Sequence, residues 1–393
     1  MRLSIIRLAV EDCLKKSLGA PGLSIVGIAG KRPVIDEKRQ PWIRVKYGPS
    51  GPDEWHGVVP ATVDFRRSPD AAVERLRLAV KVNPAQGLAR TLNSWIIREH
   101  GIALDRPYPE YHAASEFDHT GAREYHVFNG LAPGCPSLAR VLPRCYGGVV
   151  DGKSGEHAIF LEFLDNVARL DAAGAEGDWP PALIASALSA AGGWHGAFLG
   201  KVDHMDDAFA APRATTAQRL ADEGLWLGLL DDARGRFPDI LTEAVWRRRH
   251  HIVDTIDVWH PIKDQLPVTL VHDDFNNRNC GFRPAPIALD WELAARDAPQ
   301  RDLVELLTFV LPAGAPRSEV KSLVDGHRKA IIESAGDLAS GLDPEGFEQA
   351  FRAELKLQAI NRIGHQFLFA AAFPLPYLAR INACIEHLLD LYD

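Results

Sequence analysis

The sequence predicts an α+β fold of two unequal lobes, and three observations predict it. Alternating, β-branched runs cluster in the first 164 residues, apolar residues at helical spacing fill most of the remainder, and 393 residues exceed one ordinary hydrophobic core. A small lobe with an antiparallel sheet is expected over residues 1–164. A larger, mainly helical lobe is expected over residues 165–393.

The elements follow in order. Leu3, Ile6, Val10, Leu14 and Leu18 trace one helical face, while Arg7, Glu11 and Asp12 interrupt any apolar run that could serve as a targeting core. Trp42–Tyr47 reads as a strand, followed by a turn containing Gly48 and Gly51, then by a second strand from Val58 to Phe65. Leu76–Val82 is a third alternating run, with Lys81 near its end. Glu124 falls in a helical segment, and His157–Leu164 is an apolar strand ending in Leu-Glu-Phe-Leu. Helical spacing then covers 180–199, 214–232, 238–260, 301–311, 317–336, 344–371 and 375–391. His195 in the first of these reads as a packed core histidine, and the basic run Arg247–His251 as an exposed helix face. Asp203–Asp207 reads as a turn.

Composition narrows the class. Apolar content of 46% and charged content of 24% are those of a folded globular protein. A net charge of −8 without a basic stripe argues against a nucleic-acid partner. The apolar stretch from Phe367 to Leu378 is too short for a bilayer and contains Pro374 and Pro376, so no membrane span is expected. Five scattered cysteines without a Cys-x-x-Cys pair suggest neither a zinc site nor a disulfide framework, which fits a cytoplasmic location.

The chemistry concentrates between Val271 and Asp302. This span holds His272-Asp273-Asp274, an Asn five residues after Asp274, and Asp290-Trp-Glu at the end of a strand-like run, Pro286–Leu289. Phosphoryl transfer needs an oriented nucleophile and a hard cation on the phosphates. Asn279 and Asp290, facing each other across a hairpin, supply oxygen ligands of the kind Mg²⁺ takes. Asp274, at the loop apex, is placed to accept the proton of an acceptor hydroxyl.

These motifs resemble the aminoglycoside phosphotransferase and choline kinase superfamily, whose loop reads His-Gly-Asp-x-x-x-x-Asn and whose metal segment reads Asp-Trp-Glu or a near variant. The resemblance implies a protein-kinase-like fold and transfer of the γ-phosphate of ATP, or of GTP, to a hydroxylated small molecule. It assigns His272 to ordering the catalytic loop, Asp274 to the base, Asn279 and Asp290 to Mg²⁺, and Asp302 to pinning the loop backbone from a helix start. Upstream, Lys81 matches the phosphate-contacting lysine and Glu124 its partner, with Lys46 a rival to Lys81. Glu162 and Leu164 match the adenine-reading connection through their backbone groups, and Gly48 and Gly51 are candidates for phosphate contact. Asp273 departs from the pattern, standing where the family usually has Gly. Asp273, Asn276, Asp206 and Asp207 are candidates for facing the acceptor. Rival readings are a catalytically silent nucleotide-binding pseudokinase, a metal phosphohydrolase built on His272-Asp273 with His250 and His251, and a protein kinase. The acceptor itself is not legible in the sequence.

Overall fold

A computed structural model of the chain describes residues 1–30, 53–84, 88–171, 177–202, 205–312, 314–339 and 341–392. Lys46, Gly48 and Gly51 lie outside the described residues, as do Asp203 and His204.

Five strands, β1 (Ser24–Gly30), β2 (Gly57–Arg66), β3 (Glu74–Asn83), β4 (Cys145–Val150) and β5 (His157–Glu162), form one sheet in the order β1-β2-β3-β5-β4. Every neighbouring pair is antiparallel. Helix α1 (Leu3–Ser17) buries Ile6, Val10 and Leu14 against the alternate residues Val59, Ala61, Val63 and Phe65 of β2 and Leu78, Val80 and Val82 of β3. Each such burial is worth about 1.5–3 kcal/mol. The period of 3.6 on the helix meets the period of 2 on the strands, so one face of the sheet is sealed. Register places Val58 opposite Lys81, Pro60 opposite Ala79, and Ile159 and Leu161 opposite Lys81 and Ala79 on the other face.

A separate and larger apolar cluster holds the helical body together. Its long helices are α2 (Leu88–Glu99), α3 (Thr120–His126), α4 (Pro181–Phe198), α5 (Glu223–Arg236), α6 (Glu243–Asp254), α7 (Gln300–Val310), α8 (Arg317–Ala335), α9 (Pro344–Leu357), α10 (Ile363–Ala372) and α11 (Leu378–Tyr392). Leu92 and Ile96 of α2, and Val127 and Phe128 just after α3, are buried in this cluster and not beneath the sheet.

Three expectations are corrected. The 344–371 helix is interrupted by a π turn over Gln358–Arg362. The strand expected over Val268–Val271 and the one expected over Pro286–Leu289 do not form a hairpin across the Gly281–Pro286 turn: β6 (Thr269–Val271) pairs with β9 (Ala295–Asp297), and β8 (Ala285–Ala288) forms a hairpin with β7 (Cys280–Arg283), which takes up part of that turn. The basic run of α6 is not wholly exposed, because Arg249 is fully buried and bonds to Glu386 at 2.8 Å and Asn382 at 2.7 Å on α11. A buried guanidinium needs such partners. Among the described residues no helix is long and apolar enough to cross a membrane.

Candidate active site

The loop between β6 and β7 is fixed from below. Asp302, in the first turn of α7, accepts the backbone amides of His272 at 2.8 Å and Asp273 at 2.9 Å, matching the anchoring position expected for it. His272 bridges the loop: Nδ1 accepts the Asp274 amide at 3.3 Å, so its proton sits on Nε2, which donates to the Leu289 carbonyl at 2.7 Å. With both nitrogens engaged, His272 acts as an architectural residue. Its ring lies tilted against Trp291 with centroids 4.5 Å apart, and Trp194 packs edge-on to both Trp291 and Phe275, making an aromatic floor.

Asp302 is itself held from behind. His327 Nδ1 donates to the Leu188 carbonyl at 2.9 Å, burial pushes its imidazole down to about 3, and its Nε2 lies 3.2 Å from His195 Nδ1. His195 Nε2 then donates to Asp302 at 3.0 Å. His195 is thus a fully buried, fully bonded histidine, as its place in α4 suggested.

Asp273 explains its own departure from the family pattern. Its φ is +61°, a left-handed backbone that glycine adopts freely and that Asp tolerates better than most residues. The side chain is buried and pairs with Arg301, so Asp273 is neither a solvated loop acid nor an open contact for the acceptor. Burial pushes its carboxyl up to about 6, against the pull of Arg301 and Arg362.

Asp274 is gripped on both oxygens. Oδ2 accepts Asn279 Nδ2 at 2.6 Å, while Oδ1 accepts Asn276 Nδ2 at 2.9 Å, Arg278 Nη2 at 3.0 Å and Arg362 Nη2 at 3.0 Å. Burial raises its carboxyl, but the charges of Arg278 and Arg362 outweigh it and hold Asp274 below the ordinary carboxylate range. Asn276 is fully buried: its amide also donates to Glu305 at 2.9 Å, and its oxygen accepts the Arg278 amide at 3.0 Å.

Across the cleft, Lys81 Nζ lies 2.6 Å from Glu124 and 2.6 Å from Asp290. These three residues are far apart in sequence, and only the folded chain brings them together. Glu124 is buried and also accepts Asn83 Nδ2 at 2.7 Å; burial pushes its carboxyl up, against the pull of Lys81. Gly121 allows α3 this close to the sheet, since a Cβ there would sit 2.5 Å from the Pro84 carbonyl. Asp290 has a left-handed backbone, φ +62°, and its side chain is 40% exposed toward the cleft. Asn279 sits beside it at the open end of the hairpin, its carbonyl accepting the Leu289 amide at 2.7 Å. Asn279 Nδ2 also bonds the Asp274 carbonyl at 3.0 Å, leaving Oδ1 without a donor among the described residues.

The connection after β5 is tied to this hairpin. Glu162 accepts Arg283 at 3.0 Å and the Arg144 amide at 3.0 Å, and Ala168 bridges to Phe282. Gly281 permits the approach, because a Cβ would lie 2.5 Å from Val167. The Glu162 amide is used by Arg144, whereas that of Leu164 has no backbone partner among the described residues. Asp207 pairs with Arg296, and Asp206 accepts the Ala208 amide at 2.8 Å, at the start of a turn over 207–209.

Sequence reasoning missed Arg278, Arg301, Glu305, Gln358, Arg362 and Tyr377. Arg278 stood inside the quoted loop motif and was open to the same spacing argument. Arg362 and Gln358 carried no such signal, since only the π turn aims them at the loop.

No family model and no curated protein sequence matches the chain. Among solved structures it is similar to a glucosamine kinase, at 15% identity and a TM-score of 0.43, covering 85% of this chain and 89% of that one. It is also similar to a macrolide 2′-phosphotransferase from Brachybacterium faecium, at 15% identity and a TM-score of 0.40, covering 92% and 96%. A third is the GDP complex of an aminoglycoside 2′-phosphotransferase-IIIa, at 12% identity and a TM-score of 0.40, covering 93% and 98%. By name these are small-molecule kinases and phosphotransferases.

Proposed function

We propose that this chain is a protein-kinase-like phosphotransferase that moves the γ-phosphate of a nucleoside triphosphate, ATP or GTP, to a hydroxyl of a small molecule. One observation carries the reading: Lys81 contacts both Glu124 and Asp290, so phosphate-binding lysine, partner glutamate and metal-segment aspartate share one cleft with the Asp274–Asn279 loop. Among the described residues no three His, Cys, Asp or Glu side chains are grouped to hold a metal by themselves. The donors fit an ion that keeps water and phosphate oxygens instead: Asn279 Oδ1 lacks a donor, and Asp290 is open to the cleft. Mg²⁺ held by Asn279 and Asp290 would neutralise phosphate charge during transfer.

The chain's own residues supply the rest. Lys81, steadied by Glu124, donates to the nucleotide phosphates. The base over Val58, Pro60 and Ala79 meets the apolar side of the sheet, and the Leu164 amide is available to its edge. Asp274, charged at neutral pH, orients the acceptor hydroxyl and takes its proton as the oxygen bonds to phosphorus. Asn279 and Asn276 fix the carboxylate's orientation.

The test is ADP release over a panel of hydroxylated metabolites, with Asp274→Asn as blank and nucleotide binding measured beside it. Acceptor-dependent release by the wild type alone supports the reading. Binding without release from any acceptor favours a silent pseudokinase. A phosphohydrolase centred on His272 has no support, since both its ring nitrogens are bonded to backbone groups, the Asp274 amide and the Leu289 carbonyl.

A further inference from the structure

We infer that the acceptor carries an anionic group, a carboxylate or a phosphate, near its reacting hydroxyl, and that Arg362 together with Arg278 receives it. The inference rests on the phosphotransferase reading and extends it to the class of substrate. The π turn at Gln358–Arg362 delivers Arg362 to the mouth of the loop, where Nη2 bonds the Asp274 carboxylate and the Asp273 carbonyl. Its Nη1 makes no hydrogen bond among the described residues and is not sealed from solvent. Arg278 lies beside it, its guanidinium between the rings of Phe309 and Tyr377 at 5.4 and 5.2 Å and its side chain 23% exposed. Arg362, with Nη1 to spare, and the part-exposed Arg278 beside it offer the cationic donors that suit carboxylate or phosphate oxygens.

On this side of the cleft the carboxylates beside Asp274 are engaged by the chain itself, while Asp290, which also acts on Asp274, stands on the Lys81 side. Glu305 is buried, with its oxygens taken by Asn276 at 2.9 Å and Gln358 at 2.6 Å, and it lies 3.6 Å from Arg362 Nε. Asp273 is held by Arg301, and Glu116 by Arg219 at 2.5 Å and Arg301 at 3.8 Å. An ammonium group brought to Asp274 would therefore face two like charges and, beyond the base itself, no open carboxylate among these residues. The overall charge of −8 suggests a cationic acceptor, but the charged groups that flank Asp274 itself are the cations Arg278 and Arg362.

The experiment compares four three-carbon probes on the full chain: glycerate, glycerol 3-phosphate, glycerol and 3-amino-1,2-propanediol. Binding is measured with Mg²⁺ and a non-hydrolysable ATP analogue present, and ADP release with Mg²⁺ and ATP. The expected result is that glycerate or glycerol 3-phosphate exceeds the neutral and amine probes by about tenfold or more, the scale of one charge-assisted hydrogen bond. Which of the two leads separates a carboxylate from a phosphate site. Arg362→Gln should erase that preference by raising KM more than it lowers kcat, and Arg362→Lys should keep part of it. Equal or better use of glycerol or the amine overturns the inference while leaving phosphotransfer intact. So does equal loss with every probe in Arg362→Gln, which would put the arginine on the transferring phosphoryl group. Nucleotide binding with no preference among the probes also overturns it. Failure to bind nucleotide at all removes the phosphotransferase reading beneath it.

Discussion

The two sides of the cleft are electrostatic opposites. At Lys81 one ammonium stands between two carboxylates, Glu124 and Asp290, each 2.6 Å away. At Asp274 one carboxylate stands between two guanidiniums, Arg278 and Arg362, each 3.0 Å away. The first side has negative charge to spare and faces the cleft through Asp290, which suits a divalent cation and the phosphates that travel with it. The second holds its carboxylate ionised, ready to take a proton without being able to wander. The difference teaches that charge and burial compete on each side: burial raises the Glu124 carboxyl against the pull of Lys81, whereas at Asp274 the two guanidiniums outweigh it.

Breaking either side tests that contrast, and the largest effect should come from the metal side. Asp290→Ala removes the cleft-facing carboxylate and should bring acceptor-dependent ADP release to background. Asp274→Asn keeps the size of the side chain but puts an NH2 in place of one accepting oxygen and removes the base, and should lower kcat by roughly 10²- to 10⁴-fold with nucleotide affinity nearly intact. Glu124→Gln removes the buried negative charge beside Lys81; a fall in kcat/KM on the order of 10²-fold is expected from mispositioning one phosphate donor, read by steady-state kinetics.

A smaller and different effect is expected from the scaffold. Asp302→Ala strands His195 and two backbone amides, and chemical denaturation should register a loss of about 3–5 kcal/mol. The smallest effect concerns pH. Asp274 is held below the ordinary carboxylate range, so its base form persists above that range and is lost as pH falls through the depressed value. The acid limb of kcat/KM should accordingly lie at low pH in the wild type. It should move to higher pH in Arg362→Gln, because removing a cation makes the carboxyl easier to protonate.

Much of this was legible in the sequence because it depended on spacing along the chain. Strand β3 with Lys81, strand β5 with its Leu-Glu-Phe-Leu end, and the loop from His272 to Asn279 each carry a local period or motif that tertiary packing left in place. Other features needed the fold. Thr269–Val271 pairs with Ala295–Asp297, a short run that lacks any strand signature of its own. Arg362 reaches Asp274 over a separation of 88 residues, through a π turn that helical periodicity alone reads as unbroken helix. Arg249 looked like one more exposed cation until Glu386 and Asn382 closed over it. Asp273 is the reverse case. Its departure from glycine was visible in the sequence, and the reason became clear only from a positive φ and a buried arginine partner.

The central claim is that Asn279 and Asp290 jointly carry the ion that binds a nucleotide's phosphates. Calorimetric titration of ATP with and without Mg²⁺, into the wild type and into Asp290→Ala, tests it without relying on turnover or on the acceptor. The account predicts that Mg²⁺ tightens ATP binding to the wild type and has little influence on the variant. The same Mg²⁺ dependence in both proteins would contradict it.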